Sequence, residues 1–440
     1  MEKKIVSLDA VLLSVLVLAR IDLSAFTDRV LPKPWELVQR IPFIGSLLSS
    51  DSARLLTDPR FNPLSLLLVA FVIFLLFVYL LIDVAWGGES YRVKLVIIFL
   101  IVLFTVVASS FFTLMMRHYG AFGWYAHDGG VPHTEEATKY FIAGKNPYLK
   151  NYFNTSLERQ LGKKHPAFYH YPYLPFAFIF SSPFHILSQT AIGWYDQRFV
   201  YIPLFLLTLS LLPRFTLSKV GKLCLVMIVG LNPIMSSDVI FGANDSFVLF
   251  WIVLSLCLLL SERLTLSSIA LGLACATKLT AWPLVPFYLL YSCRERSLSW
   301  DTVEYCFRQS IPLLLTVLAF VLPFFLWSPS AMLDDILGYT LGTAQTSYPI
   351  AGWGFSNFIL ALGWAATKDS HFPFWIFMVI IGLPLMLYLL LRQSRVNSLH
   401  SMITGYGLTL FALFYFSRYL NANFLAYAIA LFTLGYFCDH

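Results

Sequence analysis

The chain has 440 residues, of which 58% are hydrophobic and only 12% charged, with a mean hydropathy of +0.73, against about 25% charged residues in an ordinary soluble domain. That composition excludes a soluble globular domain and describes a polytopic membrane protein. The formal charge of +6 is spread along short loops, so it reads as an orientation signal and not as a nucleic-acid footprint.

The N-terminus joins a basic start, Lys3 and Lys4, to an apolar run, as a signal peptide does. Asp9 and Arg20 bracket that run and no small-residue cleavage site follows, so a retained first membrane segment is expected. A span needs about 20 mainly apolar residues. Windows of that kind centre on 7–26, 63–83, 94–115, 172–190, 198–213, 221–238, 245–260, 264–291, 309–327, 372–391, 401–417 and 422–438, which predicts roughly 11–13 crossings. They lack the dyad alternation of a membrane barrel, so helices are expected throughout.

Lys and Arg in short loops set the orientation. Lys3/Lys4, Arg92/Lys94, Arg294/Arg296 and Arg392/Arg395 mark cytoplasmic turns, which puts residues 117–170 outside. The basic turn Arg214–Lys219–Lys222 obeys the rule only if 172–190 is a juxtamembrane or re-entrant segment and 264–291 is a pair of half-spans broken around Lys278–Pro283. Residues 236–246, 328–370 and 418–421 then face the outside together. The polar segment 27–62 carries little information. No internal repeat is evident, which weakens an inverted-repeat transporter. The cysteines at 224, 257, 275, 293, 306 and 438 form no CxxC, arguing against disulfides and a structural zinc site.

Long exposed loops are where a membrane enzyme keeps its chemistry. The loop 117–170 gathers many of the ionisable residues and predicts a helix over 133–148, with Thr134 as its cap, Glu135 and Glu136 in its first turn, and Gly144 and Pro147 at its end. Asp128, flanked by His127 and by Gly129–Gly130, can act as a general base toward a hydroxyl or serve as an Asp-Gly turn residue. Glu135 and Glu136 suit a helix N-terminus whatever else they do. His127, Asp128, His133, Glu135 and Glu136 match no metal-ligand spacing. The run from Tyr169 through Tyr171 and Tyr173 to Pro175 can stack on a sugar, line a lipid groove or form an interfacial belt.

Four residues outside that loop stand out. Asn244 and Asp245 open an apolar helix, where an Asp is costly unless paired, wet or working; either can also be an N-cap. Lys278 is the most deeply placed cation and requires a partner, for which a phosphate would serve. Arg418 can bind a phosphate bidentately or snorkel to the interface. The Gly-, Ser- and aromatic-rich loop 328–370 looks like a cover for a site.

In this order the pieces resemble the GT-C superfamily of glycosyltransferases that use polyprenyl-phosphate-linked sugars, most closely its polyprenol-phosphate-mannose-dependent branch. The matching residues are Asp128, Glu135–Glu136–Ala137, Phe141 to Tyr148, Tyr171–Pro172–Tyr173–Leu174, Gly242–Ala243–Asn244–Asp245, Leu271–Gly272–Leu273–Ala274 with Lys278 and Pro283, and Arg418–Tyr419 with Asn421 and Asn423. Tyr173 departs from the second proline that related sequences often carry. The resemblance covers about residues 95–438, so 1–93 looks like an N-terminal addition of transmembrane segments. Residues 94–438 would be an all-α polytopic bundle with a catalytic loop at 117–170 and a covering loop at 328–370.

The resemblance implies an inverting hexosyltransferase, mannose favoured, moving sugar from a polyprenyl-monophosphate donor to a hydroxyl of a lipid-linked or glycan acceptor. Asp128 would be the base and Lys278, Arg418 and Lys145 the cations around the donor phosphate. His127, Glu135, Glu136, Tyr171, Tyr173, Asn244, Asp245 and Tyr419 would line the substrate site. No cofactor, metal or nucleic acid is expected. The protein would be a monomer in the plasma membrane, or in the endoplasmic reticulum of a eukaryote, with an extracytoplasmic site. The rival reading is a transporter or flippase in which Lys278 and Asp245 are coupling groups.

Overall fold

Runs of Leu, Val, Ile and Phe satisfy their own backbone in a membrane only as helices, and Pro, Gly and Asn decide where those helices stop. The computed structural model describes residues 6–23, 63–86, 90–120, 127–161, 165–294 and 300–439; Lys3, Lys4, the segment 27–62 as a whole and Arg296 lie outside them. The helices are α1 (Leu8–Leu23), α2 (Pro63–Trp86), α3 (Tyr91–His118), α4 (Gly130–Ile142), α5 (Phe176–Ile192), α6 (Arg198–Leu211), α7 (Lys219–Leu231) and α8 (Pro233–Phe241). They continue with α9 (Asp245–Leu260), α10 (Leu264–Cys275), α11 (Leu284–Ser292), α12 (Trp300–Trp327), α13 (Phe374–Arg395), α14 (Leu399–Tyr415) and α15 (Ala422–Phe437). The only strands among the described residues are β1 (Ala351–Gly352) and β2 (Tyr419–Leu420), paired in parallel. The protein is an all-α, multi-pass membrane protein.

Fewer helices among the described residues than the expected 11–13 crossings are long and apolar enough to cross alone. Among the described residues four are long and apolar enough to cross alone, within α2, α3, α12 and α13, and the α7–α8 pair, bent by 51°, makes a fifth. A window average cannot see a break. Asn232 accepts from the N–H groups of Ile234 and Met235 and so starts a new helix at Pro233, while Gly242 ends it with φ +82°, a conformation that favours glycine. Apolar sequence at 264–291 likewise splits into α10, a turn at Leu279–Ala281 and α11, the break expected around Lys278–Pro283.

The N-terminal helices are packed into the rest. Ala10, Leu13 and Val17 of α1 and Val72 and Tyr79 of α2 share one apolar core with α3, α7, α9, α14 and α15. Lys94, expected at a cytoplasmic turn, is buried and ion-paired with Asp9 at 2.7 Å and with Asp83. Tyr79 adds a 2.6 Å hydrogen bond to Asp9. Removing one member of such a buried cluster typically costs about 3–5 kcal/mol, so it fixes α1 against α2 and α3. The expectation of no disulfide is also corrected: Cys293 and Cys306, 13 residues apart, are joined, because α11 packs back on the start of α12, a pairing no CxxC motif announces.

Candidate active site

Asp128 sits on a turn made by hydrogen bonds. Its N–H donates to Phe241 O at 2.7 Å and its O accepts from Val131 N–H at 3.2 Å. Its Oδ1 accepts from the Gly130 N–H at 2.7 Å. Helix α4 therefore starts at Gly130, before the expected position. Thr134 lies inside the helix and caps nothing, and the first turn holds no acid.

Glu135 and Glu136 diverge from mid-helix. Glu135 binds both terminal nitrogens of Arg117 at 2.7 and 2.6 Å and the Gln197 N–H at 2.9 Å. Arg117 also holds Asp196 at 2.7 Å, Asp196 binds Arg198 at 2.8 Å, and Arg198 donates to Ile240 O at 3.0 Å. This buried chain of charges ends one residue from Phe241, whose carbonyl holds Asp128. Burial opposes the charge on Asp196, but Arg198 and Arg117 outweigh it and hold that carboxyl well below its usual range; burial raises Glu135. Glu136 pairs with Lys139 at 2.9 Å. His127 bonds the Asp128 carbonyl at 3.0 Å through Nδ1, and burial with the nearby Arg117 charge pushes it down to about 3, so it is neutral at physiological pH.

A second turn faces the first. Asn244 occupies the N-cap position of α9, yet its side chain caps nothing. Its Oδ1 instead accepts from Lys278 Nζ at 3.0 Å, beside Asp245 Oδ1 at 2.7 Å. Asp245 Oδ2 accepts from Asn423, so the buried carboxylate at the mouth of this apolar helix is paired as its position demands. Lys278 stands in the break after α10, with Nζ 5.2 Å from the Phe424 ring centre and 5.8 Å from that of Tyr173. Two of its three donors are engaged by partners among the described residues.

The chain returning from the loop closes that break: the N–H groups of Leu174 and Phe176 each donate at 3.0 Å, to Thr277 O and Ala276 O, the carbonyls freed where α10 stops. Tyr171 is buried among His133, Tyr148 and Tyr152. The Tyr173 hydroxyl and Asp128 Oδ1 both flank Gly130, where a Cβ would be 3.2 Å from the one and 3.0 Å from the other. The 328–370 segment folds over these residues. Asp335 accepts from the Tyr171 N–H at 2.9 Å and bonds His170 at 2.8 Å. Arg418 donates to Tyr348 O, to Ser370 O at 2.9 Å and to Lys368 O at 3.3 Å, and the β1–β2 pairing adds to that hold.

Between these elements lies a cavity of about 580 Å³, within the range of small-molecule sites. One part of its wall is polar: Asp128, Tyr173, Asp238, Asn244, Lys278 and Asn423. Another is apolar: Leu279, Pro283, Met378, Leu410, Leu413 and Phe414. Ile336, Leu337, Tyr339, Thr340, Leu341 and Tyr348 of the covering segment also face it. Burial raises Asp128 above the ordinary carboxylate range; the Gly130 N–H opposes this, the Asp245 charge adds to it and Lys278 opposes it. Of the expected site residues, Asp128, Tyr173, Asn244, Lys278 and Tyr419 line the cavity, and Asp245 backs it through Lys278. His127, Glu135, Glu136, Tyr171 and Arg418 do not line it, and Lys145 is exposed on the loop after α4.

Asp238 and Tyr348 line the cavity without having been singled out, and Asn423 and His133, which were given no substrate role, line it too. Asp238 carries the signal that exposed Asp245, an acid in an apolar run. Burial pushes His133 down to about 3, so it is neutral. His170, Asp334 and Asp335 are a group close enough to hold an ion, but His170 already bonds Asp335 through Nδ1 and Thr346 through Nε2.

A family model described as glycosyltransferase family 87 matches residues 169–414, more than half of the 440 residues. The chain belongs to that family. No curated protein and no solved structure matches it. Family 87 membership makes the protein a GT-C-like membrane glycosyltransferase, and the resemblance stands at that level. The family 87 match takes in Tyr173, Asp238, Asn244, Asp245, Lys278 and the covering segment, whereas Asp128 precedes it and Arg418 and Tyr419 follow it.

Proposed function

We propose that this family 87 protein moves a hexose, mannose favoured, from a polyprenyl-monophosphate carrier to a hydroxyl of a lipid-linked or glycan acceptor, with inversion, on the extracytoplasmic side of the plasma membrane or of the endoplasmic reticulum. Asp128 takes the proton of the acceptor hydroxyl. The oxygen attacks the anomeric carbon from the face opposite the phosphate, the bond from that carbon to the phosphate oxygen breaks, and the polyprenyl phosphate leaves with the bonding pair. Lys278 offers its remaining N–H to the departing oxygen, where charge develops. A phosphate leaving group needs little protonation, so one base and one cation suffice.

The observation that carries this reading is that a raised carboxylate and an ammonium with two of its three donors engaged share one cavity with an apolar lining from α13 and α14. A nucleotide sugar has no use for that apolar lining, whereas a polyprenyl chain does. Arg418 and the Asp335–His170 contact act in this reading by holding the cover. The test is transfer by the purified protein from labelled polyprenyl-phosphate hexose and, separately, from nucleotide hexose, with the anomeric configuration of the product read by NMR. Inverted product from the lipid donor alone is expected. Transfer from the nucleotide sugar, or retained configuration, overturns the reading.

A further inference from the structure

The wall of the cavity branches at Phe424. Its ring centre lies 5.2 Å from Lys278 Nζ and 4.2 Å from that of Phe414, on which it stacks. Phe414 leads into the aliphatic lining of Leu410, Leu413 and Met378. In the other direction Phe424 meets Tyr419 at 5.7 Å, Tyr419 packs on Tyr348 at 4.3 Å, and Tyr348 meets His165 at 6.3 Å. Tyr419, Tyr348 and His165 all line the cavity and are only partly buried. Lys278 thus stands where an aliphatic arm and an aromatic arm part.

The proposed reaction gives the aliphatic arm to the polyprenyl chain and leaves the aromatic arm unassigned. Attack from the face opposite the phosphate needs a second approach, and the base has to lie along it. Burial raises the Tyr348 phenol above its ordinary range; the hydrogen bond from Asn421 opposes this and the charge on Asp128 adds to it. A group lying on Tyr348 is therefore near the base.

The aromatic arm is held in place. The Tyr348 N–H donates to Tyr339 O at 3.0 Å, its carbonyl accepts from Arg418, and its hydroxyl accepts from Asn421 at 3.2 Å. Tyr419 is fixed by the β1–β2 pairing. The Ala167 N–H donates to His165 Nδ1 at 3.1 Å, and burial pushes that ring below its ordinary value. His165 is therefore neutral at physiological pH, with its proton on Nε2. Among the described residues nothing accepts from that N–H and nothing bonds the Tyr419 hydroxyl. Ring faces bordered by open polar edges suit a sugar, which presents C–H groups on the face of its ring and hydroxyls, each a donor and an acceptor, around its rim. An alkyl chain would use the faces and leave the edges bare.

We infer that Tyr348, Tyr419 and His165 form the acceptor subsite, and that it takes a sugar ring with one hydroxyl turned to Asp128. The inference rests on the reading above for the base and for the arm given to the donor. It makes the covering segment part of the acceptor site, because Tyr348 belongs to that segment.

The experiment uses the full-length, detergent-solubilised protein as wild type, Tyr348→Leu and Tyr348→Phe, with hexyl mannoside and hexanol as acceptors. For the wild type, KM for the mannoside should lie at least ~10-fold below that for hexanol. Tyr348→Leu keeps apolar bulk and removes the ring, and should raise the mannoside KM ~10-fold with donor KM and kcat within ~3-fold. Tyr348→Phe keeps the ring and should restore the mannoside KM to within ~3-fold of wild type, whereas a role confined to the Asn421 hydrogen bond would be lost in both variants. Hexanol accepted as well as the mannoside overturns the sugar assignment. A rise in donor KM alone, or an equal loss in the two variants, overturns the subsite. Binding of methyl mannoside without any donor, followed by ligand NMR, separates the subsite from the proposed reaction. Weaker binding to Tyr348→Leu than to wild type and Tyr348→Phe supports it even if no polyprenyl-linked donor is used, a failure that would strike only the donor assignment. Equal binding to all three proteins, or binding to none, overturns it.

Discussion

Replacing Lys278 by Met removes the ammonium from the cavity and leaves a methylene chain of similar length. Asp245, only 1% exposed, then loses its 2.7 Å ion pair and keeps Asn423 alone. A unit charge pair at ~4 Å and an effective dielectric of ~20 is worth ~4 kcal/mol, in line with the ~3–5 kcal/mol lost when one member of a buried pair is deleted. If Lys278 also stabilises the departing phosphate, transfer falls by ~10²–10³ as well. Both losses would look like inactivity, so the informative variant is Lys278→Met with Asp245→Asn, which removes the stranded charge. Thermal unfolding of the detergent-solubilised protein should show the single variant strongly destabilised and the double variant largely recovered. Single-turnover transfer should stay at least ~100-fold down in both. A double variant that regains wild-type transfer would refute the reasoning, because Lys278 would then only neutralise Asp245.

Other outcomes follow from the same geometry. The pH profile of kcat/KM should fall toward acid as Asp128 protonates, with an apparent pKa above the ordinary carboxylate value because burial raises it. Lys278→Met should move that limb to still higher pH, since the ammonium favours the carboxylate; an unmoved limb places the titrating group elsewhere. Gly242→Ala forces a side chain into a φ of +82°, with its Cβ overlapping Val131 and 2.8 Å from Arg198 Cγ. It should lower stability by ~2 kcal/mol or more, and kcat with it, because Phe241 O anchors the Asp128 N–H. Normal stability and turnover would contradict that packing. Arg418→Gln strips donors from the carbonyls of Lys368 and Ser370. Limited proteolysis between residues 342 and 371 should speed up. A raised donor KM with unchanged proteolysis would instead make Arg418 a phosphate ligand.

Part of the candidate site was legible where a polar or ionisable residue interrupts hydrocarbon. Asp128, Asn244, Asp245 and Lys278 carry that signal, and the structure gathers them around one cavity. Asp238 carries it too, but it closes a window that reads as a continuous span, and only the Asn232–Pro233 bend turns it toward the cavity. Glu135 and Glu136 are adjacent in sequence and diverge because successive helical residues point about 100° apart; no pattern says which of the pair meets Arg117. Arg418 is equally apt for a phosphate or for carbonyls, and what decides is the covering loop folded over it, a long-range contact that sequence spacing does not express. The all-helical character follows from apolar runs alone. The helix count does not, because a few polar and small residues cut long windows into shorter helices.

The central claim is that Asp128 activates the acceptor while Lys278 serves the donor phosphate, and Asp128→Asn tests it most directly. The substitution keeps the shape of the side chain and the acceptor oxygen for the Gly130 N–H, and removes the basic one. With a defined polyprenyl-phosphate hexose and acceptor, the account predicts transfer reduced by ~10²–10⁴, unchanged donor binding and an equal or higher thermal midpoint. Transfer at the wild-type rate would contradict it and return Asp128 to the role of a turn residue.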